Sequence, residues 1–322
     1  MNICLVTPAP AGSLKGNRVT ALRWARLLRS LGHRVTIDVD YHGQRCDVLV
    51  ALHAGKSHNA ILRFRARHPN VPLVLALTGT DLYGDIHTDS RAQQSLELAS
   101  RLIVLQPLGA EELPARLRDR VRVIYQSVEP LPSSRSPRKD IFQVCVMGHL
   151  RPVKDPMRTA LAARLLPATS HVRVIHVGGA LSDDMAEAAR AEAATNPRYR
   201  WLGELPRREA LRVLSRCRLL VLTSRSEGGA NVISEAVTVG VPVLSSRIAG
   251  SIGLLGEDYP GYFPYSDTAA LAALLARAET DVGFLNELKC RCEALRPLFD
   301  PARERQSWQT LLDELFPARP AE

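Results

Sequence analysis

Two adjacent glycines stand where an apolar strand pattern turns into a helical one. The pattern predicts a strand at Leu219–Leu222, a loop with Gly228 and Gly229, and a helix from about Asn231, which is a favoured N-cap type. Glycines there let the backbone N–H groups around Ala230 approach an anion at the helix N-terminus. The segment is therefore a candidate phosphate-binding turn.

Two carboxylates flank this turn. Glu227 lies in the predicted loop, and Glu235 lies about one turn into the predicted helix. Each carboxylate can accept hydrogen bonds from two neighbouring hydroxyl groups, as on a sugar ring. The residues alone also allow an ordinary strand–turn–helix in which Glu235 favours the helix dipole.

A second strand end carries two cations. The strand predicted at Phe142–Met147 is followed by Gly148, Arg151 and Lys154. Arginine can hold two phosphate oxygens at once and lysine acts as a point charge, so the pair suits a diphosphate leaving group. The alternative is that both are solvated loop charges.

The N-terminal half has polar strand ends of its own. His53, Lys56 and Ser57 follow an apolar run, and Lys15 and Arg18 follow the first strand. Together the basic residues are candidates for an anion pocket, and His53 is a candidate catalytic group, although a histidine at a strand end is often structural.

The segment Thr78-Gly79-Thr80-Asp81 follows another strand and is a candidate substrate-binding loop. Asp81 has two interpretations: it accepts a proton or hydrogen bond from a ligand, or it caps the turn that follows.

These candidates require elements that bring strand ends together. Apolar runs alternate with helical patterns, which indicates parallel sheets with crossover helices. The predicted strands are Ile3–Val6, Arg34–Val39, Val48–Leu52, Leu73–Leu77, Leu102–Leu105, Val121–Ile124, Phe142–Met147, Val172–Val177, Trp201–Leu202, Leu219–Leu222 and Val241–Leu244. The fold class is α/β, with two doubly wound Rossmann-like domains whose strand ends face across a cleft.

The predicted domains are 1–127, a linker at 128–140 rich in proline and serine, 141–298, and a C-terminal segment 299–322. The last segment contains a helix at about Pro301–Phe316 that is expected to pack on the first domain. A chain of 322 residues fits two domains.

Composition excludes several classes. The chain is 46% hydrophobic and 23% charged, with a net charge of +9, which fits an anionic ligand. Aromatic residues make up 5%, and no nucleic-acid-binding motif is found. There is no membrane-length apolar run and no signal-peptide pattern, so a cytoplasmic protein with reduced cysteines is expected. No metal site is predicted, because Asp38 and Asp40 form a D-x-D pattern that simply lies at the end of a predicted strand.

Several of these motifs, in order, resemble those of GT-B glycosyltransferases, notably glycosyltransferase family 4. The matching segments are the loop Gly12…Gly16, Gly148-His-Leu-Arg151-Pro-Val-Lys154, Val177-Gly-Gly179, Trp201-Leu-Gly203, Glu227-x7-Glu235 and Gly240-Val-Pro-Val243. The resemblance implies that Glu235 holds the nucleotide ribose and Glu227 the donor sugar. Gly148, Arg151, Lys154 and residues 228–231 would hold the diphosphate. A UDP-sugar would then be a co-substrate, and no separate cofactor is expected.

The N-terminal half departs from the usual family pattern, because Thr78 stands where the family usually has histidine. Leu52-His-Ala-Gly-Lys-Ser57, Leu77-Thr-Gly-Thr-Asp-Leu-Tyr83 and Val123-Ile-Tyr-Gln-Ser127 resemble the selenosugar synthase branch, which serves selenoneine biosynthesis. That resemblance implies transfer of N-acetylglucosamine or glucose from a UDP-sugar to selenophosphate, forming a C–Se bond.

Other functions stay open at this point. The acceptor is alternatively an alcohol on a lipid, glycan or small metabolite, or the protein binds a sugar nucleotide without turnover. The sequence leaves the sugar, the anomeric outcome and the oligomeric state open.

Overall fold

The computed structural model describes residues 1–130 and 140–317, which form two compact units. The first unit comprises residues 1–127, 227–229 and 298–322, and the second comprises 128–226 and 230–297. Most of the predicted linker lies outside the described residues, and the predicted domain boundaries stay a prediction.

The first unit is built on a parallel six-stranded sheet in the order β2-β1-β3-β4-β5-β6. Its strands are β1 (Asn2–Val6), β2 (Arg34–Asp38), β3 (Val48–Leu52), β4 (Leu73–Ala76), β5 (Arg101–Val104) and β6 (Val121–Val123). The chain winds in opposite directions from β1 and from β3. The loops after these two strands therefore flank a switch point, where open parallel sheets bind ligands.

Helices α1 to α4 connect these strands. They are α1 (Gly16–Ser30), α2 (His58–Arg67), α3 (Ile86–Thr88) and α4 (Ser90–Leu98), and a π-helical turn at Asp81–Asp85 precedes α3. π-helical turns are rare in proteins, and those that do occur often lie at functional sites.

The second unit repeats the architecture with a parallel sheet in the order β12-β11-β10-β7-β8-β9. Its strands are β7 (Phe142–Met147), β8 (Val172–Val177), β9 (Tyr199–Trp201), β10 (Leu219–Leu222), β11 (Val243–Ser246) and β12 (Tyr262–Phe263). The winding direction reverses between β7 and β10, which places a second switch point there. The predicted α/β class, with two doubly wound parallel sheets, is confirmed.

The remaining helices follow in chain order. They are α5 (Arg158–Arg164), α6 (Asp183–Thr195), α7 (Arg207–Leu214), α8 (Asn231–Thr238), α9 (Ala249–Leu255), α10 (Thr268–Thr280), α11 (Val282–Leu295) and α12 (Pro301–Leu315). Within residues 1–130 and 140–317, no helix is long and apolar enough to cross a membrane.

The core of the first unit lies on both faces of its sheet. In β3, Leu49 and Ala51 join the cluster that contains Phe64 of α2, while Val50 joins the cluster that contains Trp24 of α1. Such burial on both faces is why a parallel strand is an unbroken apolar run in the sequence. It also leaves the strand ends as the places where polar groups can collect.

Two strand predictions for the second unit need correction. β9 starts two residues earlier than predicted, at Tyr199, and β11 occupies Val243–Ser246 instead of Val241–Leu244. Pro242 has no N–H to give to a strand ladder, so the ladder begins after it. The two-residue strand β12 was not predicted.

Candidate functional site

The loops after β7 and β10 meet at the switch point of the second sheet. A narrow crevice lies at these strand ends. It is lined by both loops and the end of β8, with polar lining residues Gly148, His149, Lys154, His176, Thr223 and Ser224. The crevice therefore occupies the position where doubly wound sheets bind nucleotides.

Lys154 is held in this crevice by the loop after β10. It ends a short 3-10 turn, Pro152–Lys154, and the Thr223 hydroxyl donates to the Lys154 carbonyl at 2.8 Å. The backbone N–H of Arg225 donates to the Val153 carbonyl at 2.8 Å. Arg151 lies immediately before the turn and is half-buried. The structure thus ties the cationic loop to the loop that carries the glycines.

The position of Gly148 is set by a buried histidine that sequence reasoning missed. His176 lies in β8, and its Nε2 is 3.1 Å from the Gly148 carbonyl. Because a carbonyl only accepts, Nε2 carries the hydrogen and Nδ1 accepts from the Tyr199 hydroxyl at 3.0 Å. Burial lowers the pKa of His176 to about 4, so the ring is neutral at pH 7. The one sequence signal for it was a histidine inside an apolar strand.

The helix after the glycine turn begins as predicted, but its cap differs. α8 starts at Asn231, so the N-cap residue is Ala230, whose side chain makes no capping hydrogen bond. Asn231 is therefore the first helical residue, and its assignment as the N-cap is wrong.

Gly228 and Gly229 are required by close backbone approaches. The segment Glu227–Gly229 belongs to the first unit, where a Cβ at Gly228 would lie 2.7 Å from the Gly79 nitrogen. A Cβ at Gly229 would lie 2.5 Å from the Leu105 Cβ. The predicted donor-site glycines are therefore brought against the predicted substrate-binding loop Thr78–Gly79.

The two carboxylates of the E-x7-E motif are both largely buried. Glu235 is 4% exposed and receives the guanidinium of Arg207, with Nε donating to Oε1 at 3.0 Å. Glu227 is 9% exposed and lies near Tyr83. Burial raises the pKa of Tyr83, and the carboxylates of Glu112 and Glu227 add to that effect. Sequence reasoning did not find Arg207, which is 28 residues from its partner.

Asp81 joins two loops of the first unit. It is fully buried, and its carboxylate accepts the backbone N–H of Ala54 at 3.0 Å, of Thr78 at 3.1 Å and of Gly79 at 2.9 Å. With three amide donors, the carboxylate is a fixed acceptor that aligns the loops after β3 and β4. This geometry favours positioning over proton transfer.

His53 is strained and buried at the end of β3. Its φ is +74°, a left-handed conformation that costs energy in a non-glycine residue and clusters at functional sites. Nδ1 accepts the Lys56 N–H at 3.3 Å and lies 3.9 Å from the Asp85 carboxylate and 4.0 Å from that of Asp81. Burial lowers the pKa of His53, and the positive charge of Lys56 lowers it further, while Asp81 and Asp85 oppose the shift. The ring is therefore neutral, with its hydrogen on Nε2.

Four polar atoms after β1, β3 and β4 are buried without a hydrogen-bond partner among the described residues. They are Thr7 Oγ1, Arg18 Nε, His53 Nε2 and Thr78 Oγ1. Buried polar atoms are seldom left unpaired, so a concentration of them at one sheet edge points to a polar ligand. Thr7 was not among the predicted site residues.

The other predicted residues of the first unit fall on the same sheet edge. Lys15 is the exposed N-cap residue of α1, which Gly16 begins, and Gly12 has a φ of +80°. Lys56 and Thr80 are exposed. Ser57 is different, because its hydroxyl is buried and donates to the Leu52 carbonyl at 2.6 Å.

Within residues 1–130 and 140–317, no three or more His, Cys, Asp or Glu side chains form a group that could hold a metal ion. Cysteines 4, 46, 145, 217 and 292 are buried and Cys290 is exposed, all as free thiols. Asp40 pairs with Arg63, and Asp38 lies 3.6 Å from His42.

Residues 128–291 match the family described as Glycosyl transferases group 1. That segment is about half of the chain and contains both loops of the crevice.

Solved structures share the fold of the whole chain. HepE of Anabaena in complex with UDP and glucose has a TM-score of 0.77 and 17% identity, covering 98% of this chain and 100% of that one. Sucrose-phosphate synthase of Thermosynechococcus elongatus has a TM-score of 0.76 and 18% identity, covering 99% of this chain and 100% of that one. A glycosyltransferase from Rickettsia africae has a TM-score of 0.73 and 12% identity, covering 99% of each chain. These likenesses confirm the predicted GT-B fold class.

Proposed function

This chain belongs to the group 1 glycosyl transferases, and we propose that it transfers a sugar from a UDP-sugar to selenophosphate. The observation that carries the donor half is the crevice between the loops after β7 and β10, lined by Lys154 and Gly148. The sugar is N-acetylglucosamine or glucose.

The structural neighbours support UDP as the nucleotide. HepE was crystallised with UDP and with UDP-glucose. In this chain, Lys154 would neutralise the departing diphosphate, assisted by Arg151 and by the amides of residues 228–231. Glu235 would accept hydrogen bonds from the ribose hydroxyls, and Glu227 would do so from the sugar.

The acceptor half rests on the selenosugar synthase resemblance and on the polar edge of the first sheet. Arg18 Nε and His53 Nε2 are buried donors without partners in the described structure, and Lys15 and Lys56 add positive charge nearby in the chain. Cationic and neutral donors together suit a small phosphate-bearing anion. His53 Nε2 carries the hydrogen and would donate it to the anion, and because the basic nitrogen Nδ1 already accepts the Lys56 N–H, His53 would not remove a proton.

The proposed step exchanges one bond at the anomeric carbon. A selenium lone pair forms the C–Se bond as the bond from the anomeric carbon to the diphosphate oxygen breaks. That bonding pair leaves with the oxygen, so UDP departs with one more negative charge and selenium stays bonded to phosphorus. Selenium is already an anionic nucleophile, so the step requires no general base. Asp81 would serve by holding the two loops in register.

The experiment is UDP release from UDP-N-acetylglucosamine and UDP-glucose, with and without selenophosphate, under anaerobic reducing conditions. We expect release that depends on selenophosphate and a product with a C–Se bond, identified by mass spectrometry. Lys154→Ala should lower turnover about 100-fold, because a charge that stabilises the leaving group is lost. Lys289→Ala removes an exposed lysine of α11 and should leave turnover unchanged.

The outcomes separate the two halves of the proposal. Release with an alcohol acceptor but not with selenophosphate would overturn the acceptor and keep the transferase. Tight UDP binding without release from any donor would favour a binding protein. If the protein shows neither UDP binding nor UDP release, the whole proposal is overturned.

A further inference from the structure

The Arg207–Glu235 ion pair encloses a predicted ligand-binding carboxylate of the second unit. Glu235 projects from the second turn of α8, and Arg207 is the first residue of α7. Arg207 Nε and Nη2 both lie 3.0 Å from the same oxygen, Oε1. The carboxylate side chain is 5% exposed and the guanidinium side chain is 34% exposed.

A carboxylate this buried needs a charged partner to stay ionised at low cost. Guanidinium groups hold carboxylates in a fixed plane, because their N–H donors form a rigid fork. The hydrogen bond from Arg207 Nε to Oε1, with the charge of Nη2 3.0 Å from the same oxygen, therefore restricts the direction in which the Glu235 carboxylate faces. A carboxylate has about four such lone-pair positions. The ion pair thus presents an oriented acceptor.

We propose that Arg207 is a positioning residue that orients Glu235 to accept hydrogen bonds from the 2′- and 3′-hydroxyls of the nucleotide ribose. The inference rests on the proposed function, in which Glu235 meets the ribose. It goes further by assigning ribose recognition to a pair of side chains from two helices. Arg207 acts through Glu235 and touches neither the diphosphate nor the sugar.

The test compares UDP with 2′-deoxy-UDP by isothermal titration calorimetry on the full-length protein. The two ligands have equal charge, so their affinity ratio reports the ribose contact and cancels any general electrostatic effect. In the wild type, the lost hydrogen bond to a buried carboxylate should weaken 2′-deoxy-UDP about 10-fold or more. In Arg207→Gln the ratio should fall to about 3-fold or less, through weaker UDP binding with little change for 2′-deoxy-UDP.

Two variants show whether the effect is specific to positioning. Arg207→Lys keeps the charge without the fork and should restore an intermediate ratio. Arg208→Gln removes an exposed charge from the same turn of α7 and should keep the wild-type ratio. If Arg207→Gln does not fold, as judged by circular dichroism, Arg207→Lys carries the test, and a wild-type ratio in that variant overturns the proposal.

The outcomes distinguish this inference from the proposed function. A large wild-type ratio that persists in Arg207→Gln would overturn the role of Arg207 and leave the donor site intact. A wild-type ratio near one would show that Glu235 does not meet the 2′-hydroxyl, which overturns both. Inactivity with selenophosphate, with the ratios as expected, would overturn only the acceptor.

Discussion

At the scale of single residues, Gly178 shows how tightly the donor-side loops are packed. A Cβ at this position would lie 1.9 Å from the Gly148 carbonyl oxygen, and its φ of +153° suits glycine. Gly178→Ala must therefore displace the loop after β7. We expect a loss of about 3 kcal/mol in unfolding free energy, together with weaker UDP binding. Urea denaturation followed by circular dichroism, and calorimetry with UDP, measure the two effects.

The matched control is Gly148→Ala on the facing loop. A Cβ there would meet only the Lys154 Cδ, at 3.8 Å, which is ordinary contact. Its unfolding free energy should change by less than about 1 kcal/mol. Equal stability losses in the two variants would show that the contact between Gly178 and Gly148 does not govern this packing.

The sequence predicted the candidate residues that belong to motifs. It did not predict the residues whose part in the site depends on contacts made only in the folded chain. Gly228 and Lys154 were predicted because their types and spacing carry chemistry in one short segment. His176, Arg207 and Thr7 were missed, because their importance depends on partners, or on missing partners, that only the folded chain reveals. Their roles at the site, like those of the predicted residues, stay predictions.

At the scale of elements, His176 makes the joint between β8 and the loop after β7 sensitive to acid. Its pKa is about 4 in the folded protein, against about 6.5 when exposed. The unfolded state therefore binds the proton more tightly, and stability falls as pH drops from about 6.5 towards 4. The full shift corresponds to a loss of unfolding free energy on the order of 3 kcal/mol at low pH. Above pH 7 His176 is neutral in both states, so it causes no such loss there.

His176→Gln isolates this contribution. The Gln side chain keeps an N–H donor for the Gly148 carbonyl but does not titrate. Urea denaturation at pH 7 and pH 4.5 should show a larger acid-induced loss in the wild type than in the variant. Identical pH dependence in both proteins would contradict the assignment of acid sensitivity to His176.

The strands show which elements a sequence can predict. β3, β7, β8 and β10 have the predicted bounds. β3 and β10 are continuous apolar runs because they are buried on both faces, and β7 and β8 remain mostly apolar although they contain Gln143 and Arg173. β11 was misplaced because it ends in Ser245 and Ser246, which look polar but are fully buried. Their hydroxyls are satisfied internally, Ser245 by Ser251 at 2.7 Å and Ser246 by the Ser224 carbonyl at 2.6 Å.

At the scale of the whole molecule, the first unit is assembled from both ends of the chain. The family match covers 128–291, whereas α12 lies beyond it and packs in the first unit. Trp308 of α12 meets Trp24 of α1 edge to face, with ring centroids 4.9 Å apart. Both rings are fully buried, so the first unit cannot complete its core until the C-terminus has been made.

Glu304 of α12 is the polar counterpart of this packing. It is 1% exposed, its Oε1 accepts from Trp24 Nε1 at 2.7 Å, and its Oε2 lies 3.0 Å from Arg23 Nε. Oε2 also accepts the Ser127 N–H at 2.9 Å. One buried carboxylate therefore joins α1, α12 and the last residue of the N-terminal segment of this unit.

Glu304→Gln should destabilise the first unit by about 3–5 kcal/mol, because the buried Arg23 loses its carboxylate partner. Glu314→Gln on the same helix is the control: its partners Arg101 and Arg122 are 27% and 34% exposed, and surface pairs contribute about 1 kcal/mol or less. Two of the three tryptophans, Trp24 and Trp308, lie in the first unit, so fluorescence during urea denaturation follows that unit. Equal midpoints for the two variants would show that Glu304 does not hold the chain ends together. A lower urea midpoint by fluorescence for Glu304→Gln, but not for Glu314→Gln, would show that this buried carboxylate stabilises the packing of the C-terminal helix in the first unit.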